Sequence, residues 1–150
     1  MMGKFLLLLL FLVLAFIGFL FVQAKNSTRQ ASLQLTGDAL PPCTDKPNCV
    51  SSSADPSDSH YIEPLAYANT SIQQLQILVE HDGGNIAETS DQHLIATYKS
   101  AVFGFIDDLI LLHRDDKIHV RSSSRVGYSD FNANRKRVER LRAALVQQNS

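Results

Sequence analysis

The chain has 150 residues, a formal net charge of −1 and two cysteines, and 45% of it is hydrophobic. Twenty of the apolar residues fall in the first 24 positions, which leaves enough for one small core plus polar linkers and too little for two. The near-neutral charge and the cysteine count exclude a polybasic nucleic-acid binder and a disulfide-dense toxin.

Phe5 to Val22 is a run of 18 residues without a charge. As a helix it covers ~27 Å, close to the ~30 Å of a bilayer's hydrocarbon layer, and it exceeds the roughly 7–15 residues of a secretory core segment. A retained membrane anchor is therefore the expected reading, with 5–22 in the bilayer. Cleavage after Val22-Gln23-Ala24 is the alternative, since small residues stand where a signal peptidase needs them. Lys4 on one side and Lys25 and Arg29 on the other leave orientation undecided by the positive-inside rule.

Cys43 and Cys49 enclose Thr44-Asp45-Lys46-Pro47-Asn48, a turn-forming stretch that can bring the two sulfurs together. A bridge across so short a loop contributes ~2 kcal/mol in the chain-entropy model and needs an oxidising compartment. Free thiols are the alternative. A zinc site is disfavoured by the spacing and by the lack of a second cysteine pair, so no metal and no cofactor is expected. The expected location is a bacterial inner membrane with the C-terminal domain in the periplasm.

Gln23 to Pro42 is polar, lacks periodicity and ends in Pro41-Pro42, so it reads as a tether; Ser51 to Ser59 (SSSADPSDS) reads as irregular. The expected division is an anchor or signal segment over 1–24, a tether with the cysteine loop over 25–59, and a folded domain over 60–150. Tyr61 to Leu65 is a candidate edge strand, because Pro64 cannot donate to a central ladder. Ser71-x-x-Gln74 has capping-box spacing, and Ile72, Leu75, Leu78 and Val79 share the face of a helix that Asp82-Gly83-Gly84 ends.

Ile86 to Thr89 and His93 to Ser100 read as a hairpin, and the more continuous apolar run Ile106 to His113 as a strand covered on both faces. Arg114-Asp115-Asp116-Lys117 is a charged turn into an alternating strand from Ile118. Asn132 to Gln148 forms the last helix, with Val138, Leu141 and Leu145 as its stripe. The order β-α-β-β-β-β-α implies an α+β fold, an antiparallel sheet with both helices on one face, similar to the helix-grip or TATA-box-binding-protein-like plan.

Three stretches carry a family resemblance. They are Cys43-x5-Cys49-Val50-Ser51-Ser52, Gly104-Phe105-Ile106-Asp107-Asp108, and Arg121-Ser122-Ser123-Ser124-Arg125-Val126-Gly127-Tyr128-Ser129-Asp130 followed by Asn134-Arg135-Lys136-Arg137. Over about Pro42 to Leu145 the chain resembles the uncharacterised family catalogued as domain of unknown function 1499. It departs from that pattern at Asn132, where the family usually has glycine. The resemblance implies a domain extent and no reaction.

Charge is unevenly placed, with 12 acidic and 3 basic residues between Asp45 and Asp116 and 8 basic and 2 acidic between Lys117 and Arg142. If the turn centres on Asp115-Asp116, Asp107 opposes Ser124 and Asp108 opposes Ser123, with Arg121 and Arg125 diagonal to Asp108. Such an arrangement reads first as a structural ion-pair network. The functional alternative is an anion site in which Ser124, Arg125, the Gly127 backbone and the following helix N-terminus converge, with Asp107, Asp108, Arg121, Asn134 and Arg135 around it. Asp130 or Asn132 is more simply the helix N-cap.

Two function classes follow. The first is a membrane-tethered, non-catalytic module that binds a protein partner or a small anionic or apolar ligand. The second is a hydrolase using Asp107, Asp108 or His119 beside Arg121 and Arg125. The second lacks a G-x-S-x-G elbow and any ordered nucleophile–base set.

Overall fold

The computed structural model describes residues 2–66 and 70–148. Helix α1 spans Met2–Arg29. Strands β1 (Cys49–Ser51) and β2 (Leu65–Ala66) precede helix α2 (Ile72–His81). Four strands follow, β3 (Asn85–Thr89), β4 (His93–Lys99), β5 (Ile106–Arg114) and β6 (Lys117–Ser124), and then helix α3 (Ala133–Gln148). The sheet is antiparallel in the order β1-β6-β5-β4-β3, and β2 shares the outer edge of β6 with β1.

Helix α2 begins where the sequence implies. The Gln74 amide donates to Ser71 Oγ and the Ser71 amide donates to the Gln74 side chain, so two otherwise orphaned donors are satisfied. Its buried residues Ile72, Leu75, Leu78 and Val79 meet Val138, Leu141 and Leu145 of α3 over Leu94, Ala96, Leu109, Leu111, Ile118 and Val120 of the sheet. Both helices thus lie on one face of an α+β fold, as the element order implies. The β5–β6 turn holds Asp115 and Asp116 at φ of 53° and 55°, the pair of positive angles a two-residue I′ hairpin requires. The expected register follows, with Asp107 opposite Ser124 and Asp108 opposite Ser123.

The other face holds the main departures from the sequence reading. Ile95, Ile110 and Leu112 are covered by Leu33, Leu35 and Leu40, which belong to the stretch read as a tether. Leu33 and Leu35 alternate with Ser32, Gln34 and Thr36, but the alternation is too short to mark a strand, and Leu40 stands apart from it. The segment behaves as a strap that runs down the sheet face, turns at Gly37, where Thr36 bridges Ala39, and returns to Pro42. The structured part also begins before His60, because β1 pairs with β6 from Cys49 onward. The strand expected over Tyr61 to Leu65 is reduced to Leu65–Ala66, and Tyr61 instead bridges Ser51.

Cys43 and Cys49 form a disulfide with Cα atoms 5.8 Å apart, tying the end of the strap to β1. Asn132 stands at φ 64°, in the left-handed region that favours glycine and that asparagine also tolerates.

Gly84 is a tight packing point after α2. A Cβ there would lie 2.9 Å from both the Val79 carbonyl oxygen and Tyr98 Cζ. Gly84→Ala is expected to cost about 1–3 kcal/mol through overpacking. Gly18→Ala, with nothing within 4 Å of the added carbon, is expected to be silent. Urea unfolding of the full chain in detergent measures both, and equal midpoints would refute the close packing.

Candidate functional site

Consecutive residues of a strand point to opposite sheet faces. Asp107 and Asp108 therefore look into different layers, and the candidate residues divide into two clusters rather than one site.

Asp108 faces the strap. It is buried and receives a bidentate pair from Arg125, with Nε donating to Oδ2 at 2.9 Å and Nη2 to Oδ1 at 2.8 Å. The same guanidinium donates to the Ser27 carbonyl at 3.3 Å, to the Gln30 carbonyl, and to Ser32 Oγ at 3.0 Å. Ser27 and Gln30 carry carbonyls freed at the end of α1, so Arg125 closes the negative end of that helix. Ser27 Oγ also accepts from the Ile106 amide at 3.1 Å, and Ala24 and Ser27 are buried.

Arg121 lies on the same face and is buried, yet it does not clasp Asp108 as the diagonal placement suggests. It donates to Ser123 Oγ at 2.6 Å and to the Pro42 carbonyl at 3.3 Å. Burial pushes its guanidinium down to about 10, with the nearby Asp108 charge pulling it back up.

Asp107 faces the helices, where Arg137 of α3 donates Nη2 to Oδ2 at 2.7 Å. The Arg137 guanidinium stacks 4.1 Å from the Tyr98 ring centroid and donates to Ser122 Oγ at 2.9 Å. Burial, ahead of the neighbouring charges, pushes the Tyr98 hydroxyl well above its ordinary value. Ser122 in turn donates to Asn134 Oδ1 at 2.6 Å. Asn134 is fully buried, and its Nδ2 reaches Ser124 Oγ at 3.1 Å, the Asn48 carbonyl at 3.2 Å and Asp130 Oδ2 at 2.8 Å.

The N-terminus of α3 already has an anion. Asp130 accepts from the Asn132 and Asn134 amides at 3.0 and 2.8 Å, and so fills the place where an external phosphate or carboxylate would sit. The Gly127 carbonyl accepts from Asn48. Arg135 points away from the cluster and donates to the Ser59 and Tyr61 carbonyls, holding the 52–60 loop. It lines a shallow cleft with Pro47, Cys49, Asp130 and Asn132.

Of the seven candidates, Asp107, Ser124 and Asn134 meet in the helix layer, Asp108, Arg121 and Arg125 in the strap layer, and Arg135 in neither. Arg137, Tyr98, Ser122 and Asn48 were missed. Arg137 had a readable signal, because it shares the face of Asn134, Leu141 and Leu145 on α3 and so looks into the core.

His119 stands away from both aspartates, pairing across the sheet with Leu112 and sharing a 3.3 Å hydrogen bond with Ser52 Oγ. That serine also accepts from the Val120 amide, which makes it a tie between the loop after β1 and β6. His113 and His119 belong to opposite sheet faces, and among the described residues no group of His, Cys, Asp or Glu is arranged to hold a metal ion.

What the fold and these pairs define is a small α+β module whose layers are locked to its central strands by buried arginines. The chain belongs to the family described as Protein of unknown function (DUF1499), matched over residues 39–145. No curated protein and no solved structure matches it.

Removing one partner of a buried pair strands the other, so Asp108→Ala is expected to cost about 3–5 kcal/mol. Combined with Arg125→Met, the loss should fall short of the sum of the two single losses by about 2 kcal/mol. Strict additivity in denaturant midpoints would show that the pair is uncoupled.

Burial, then the Arg114 and Lys117 charges, hold His119 below its ordinary 6.5, with Asp115 opposing. The neutral ring is thus favoured in the folded state, and its contribution is present above pH 6.5 and lost as the pH falls. His60, raised chiefly by its hydrogen bond to Asp58, works in the opposite sense. Acidification from about pH 7.5 to about 5.5 should therefore lower Tm less in His119→Gln than in the wild type. An identical slope in the two proteins would refute a stabilising neutral His119.

Proposed function

We propose that this protein is a membrane-tethered module of the bacterial envelope that acts by binding rather than by catalysis, with its domain on the periplasmic side of the inner membrane. The observation that carries the reading is the division within α1. Its apolar run Phe5 to Val22 is exposed almost throughout, while its last turns, through Ala24 and Ser27, are buried against β5 and Arg125. An exposed helix of that length and hydropathy finds its solvent in a bilayer. The Cys43–Cys49 bridge fits an oxidising compartment.

The burial of Ala24 and the packing of Phe21 on Phe103 also favour retention over cleavage, since cutting after Ala24 would remove residues that pack against the fold. Binding is favoured over hydrolysis because the oxygens of Asp107, Asp108 and Asp130 already accept from arginines and amides. A small anion at Arg125 would have to displace Asp108 and the end of α1. A protein or lipid surface outside the network is the better-supported partner.

The test is fractionation of cells expressing the full chain. The protein is expected to stay in the membrane through an alkaline carbonate wash and to leave it in detergent. Its thiols should react with a maleimide only after reduction. Recovery of the intact chain in the soluble fraction with both thiols reactive would overturn the reading.

A further inference from the structure

The two ends of the sheet differ in chemistry. At one end lie the β5–β6 turn with Asp115 and Asp116, the β3–β4 turn with Asp91, and Asp38 of the strap, which Arg114 reaches through its carbonyl. At the other end lie the β4–β5 loop, the β6–α3 loop and the exit of α1. That second end carries its large apolar side chains outward. Val102 is 76% exposed, Tyr128 72% and Phe131 87%. Phe131 is held at φ 53°, a conformation that costs a bulky L-residue energy and whose exposed ring gains nothing in water.

Depth follows from α1. Phe21 is in the last turn of the apolar run, and a run of ~27 Å in a ~30 Å hydrocarbon layer leaves Phe21 at its boundary. Phe103 of the β4–β5 loop packs edge-on against Phe21 with ring centroids 5.5 Å apart, and Phe105 continues the contact at 6.1 Å. The loop therefore sits at the depth where the run ends. Lys25 and Arg29 are exposed one and two turns beyond, and Lys99 is exposed at the end of β4, at the level of anionic headgroups.

We infer that this end of the domain rests in the bilayer, with Val102 and Phe103 of one loop and Tyr128 and Phe131 of the other seated at the headgroup–acyl boundary beside α1. The inference rests on the tethering reading above and goes further, because it makes the lipid surface itself a partner of the folded domain. Tyr128, an apolar ring with a hydroxyl, suits that boundary, and Val102, Phe103 and Phe131 supply the apolar area beside it.

The chain contains no tryptophan, so each introduced one reports on its own position. The full chain is reconstituted in phosphatidylethanolamine–phosphatidylglycerol vesicles with brominated acyl chains, carrying singly Leu14→Trp, Val102→Trp, Phe131→Trp or Val146→Trp. Val146 is exposed near the end of α3, one turn beyond Arg142, which reaches the Pro64 carbonyl beside the β2–β6 pairing at Ile118 and Lys117, on the side of the acidic turns. Val102→Trp and Phe131→Trp are expected to lose roughly half their emission, as side chains about 5–10 Å into the boundary would. Leu14→Trp should be quenched and Val146→Trp should not. Quenching of Leu14→Trp without quenching at either loop position overturns the inference and leaves the tether standing. Quenching of Val146→Trp to the same degree as the loops overturns the assigned orientation. An unquenched Leu14→Trp overturns the tethering reading itself.

Discussion

Two neighbouring carboxylates in the middle of a three-layered domain cannot both face the same partner. In β5 the alternation of side chains sends Asp107 toward the helices and Asp108 toward the strap. Neither can stay there alone, because an uncompensated buried charge is costly. Each therefore needs a cation from a different layer. Arg137 comes from α3, and Arg125 comes from the loop that leads into it, reaching across to the end of α1. The adjacent pair of acids thus places α3 and α1 relative to the sheet, which apolar contact alone does less specifically. The arginines suit this role because a planar fork can grip a carboxylate and still direct further N–H groups at carbonyls and hydroxyls.

The parts of the fold that follow short-range rules were legible. Ser71 and Gln74 announce α2, paired aspartates at a tight turn set the β5–β6 register, and alternation identifies the half-exposed strand from Ile118. The resemblance placed the domain within a few residues of its matched extent. The strap escaped because a covering segment needs only a few apolar residues at irregular intervals. Leu33 and Leu35 alternate only briefly and Leu40 stands apart, and their burial depends on a sheet face made far away in sequence. The strand β1 escaped for a similar reason, since three residues, Cys49 to Ser51, pair only because β6 offers an open edge.

For the candidate site, the register reading brought the right residues near each other but could not choose among cations. Arg121 and Arg125 are both diagonal to Asp108, and what separates them is the end of α1, whose carbonyls draw Arg125, while Pro42 draws Arg121. Both attractors lie in the segment that the sequence presented as a tether. Missing the strap and misplacing Arg121 are one error with one cause.

The residues that carry the family resemblance are in large part those of this locking network. Asp107, Asp108, Arg121, Ser122, Ser124, Arg125, Asp130, Asn134 and Arg137 are joined by hydrogen bonds to one another, to the strap or to α1. A motif rich in arginine and serine invites an active-site or anion-binding interpretation. Here most of its donors and acceptors are already matched to the chain's own groups, so the motif describes how the layers are fastened. Holding α1 by its carbonyls to the same strand that anchors α3 sets the angle at which the domain meets the end of the apolar run. A flexible linker would leave that angle open. A helix gripped by Arg125 fixes which end of the domain lies beside the apolar run, and that end carries Val102, Tyr128 and Phe131.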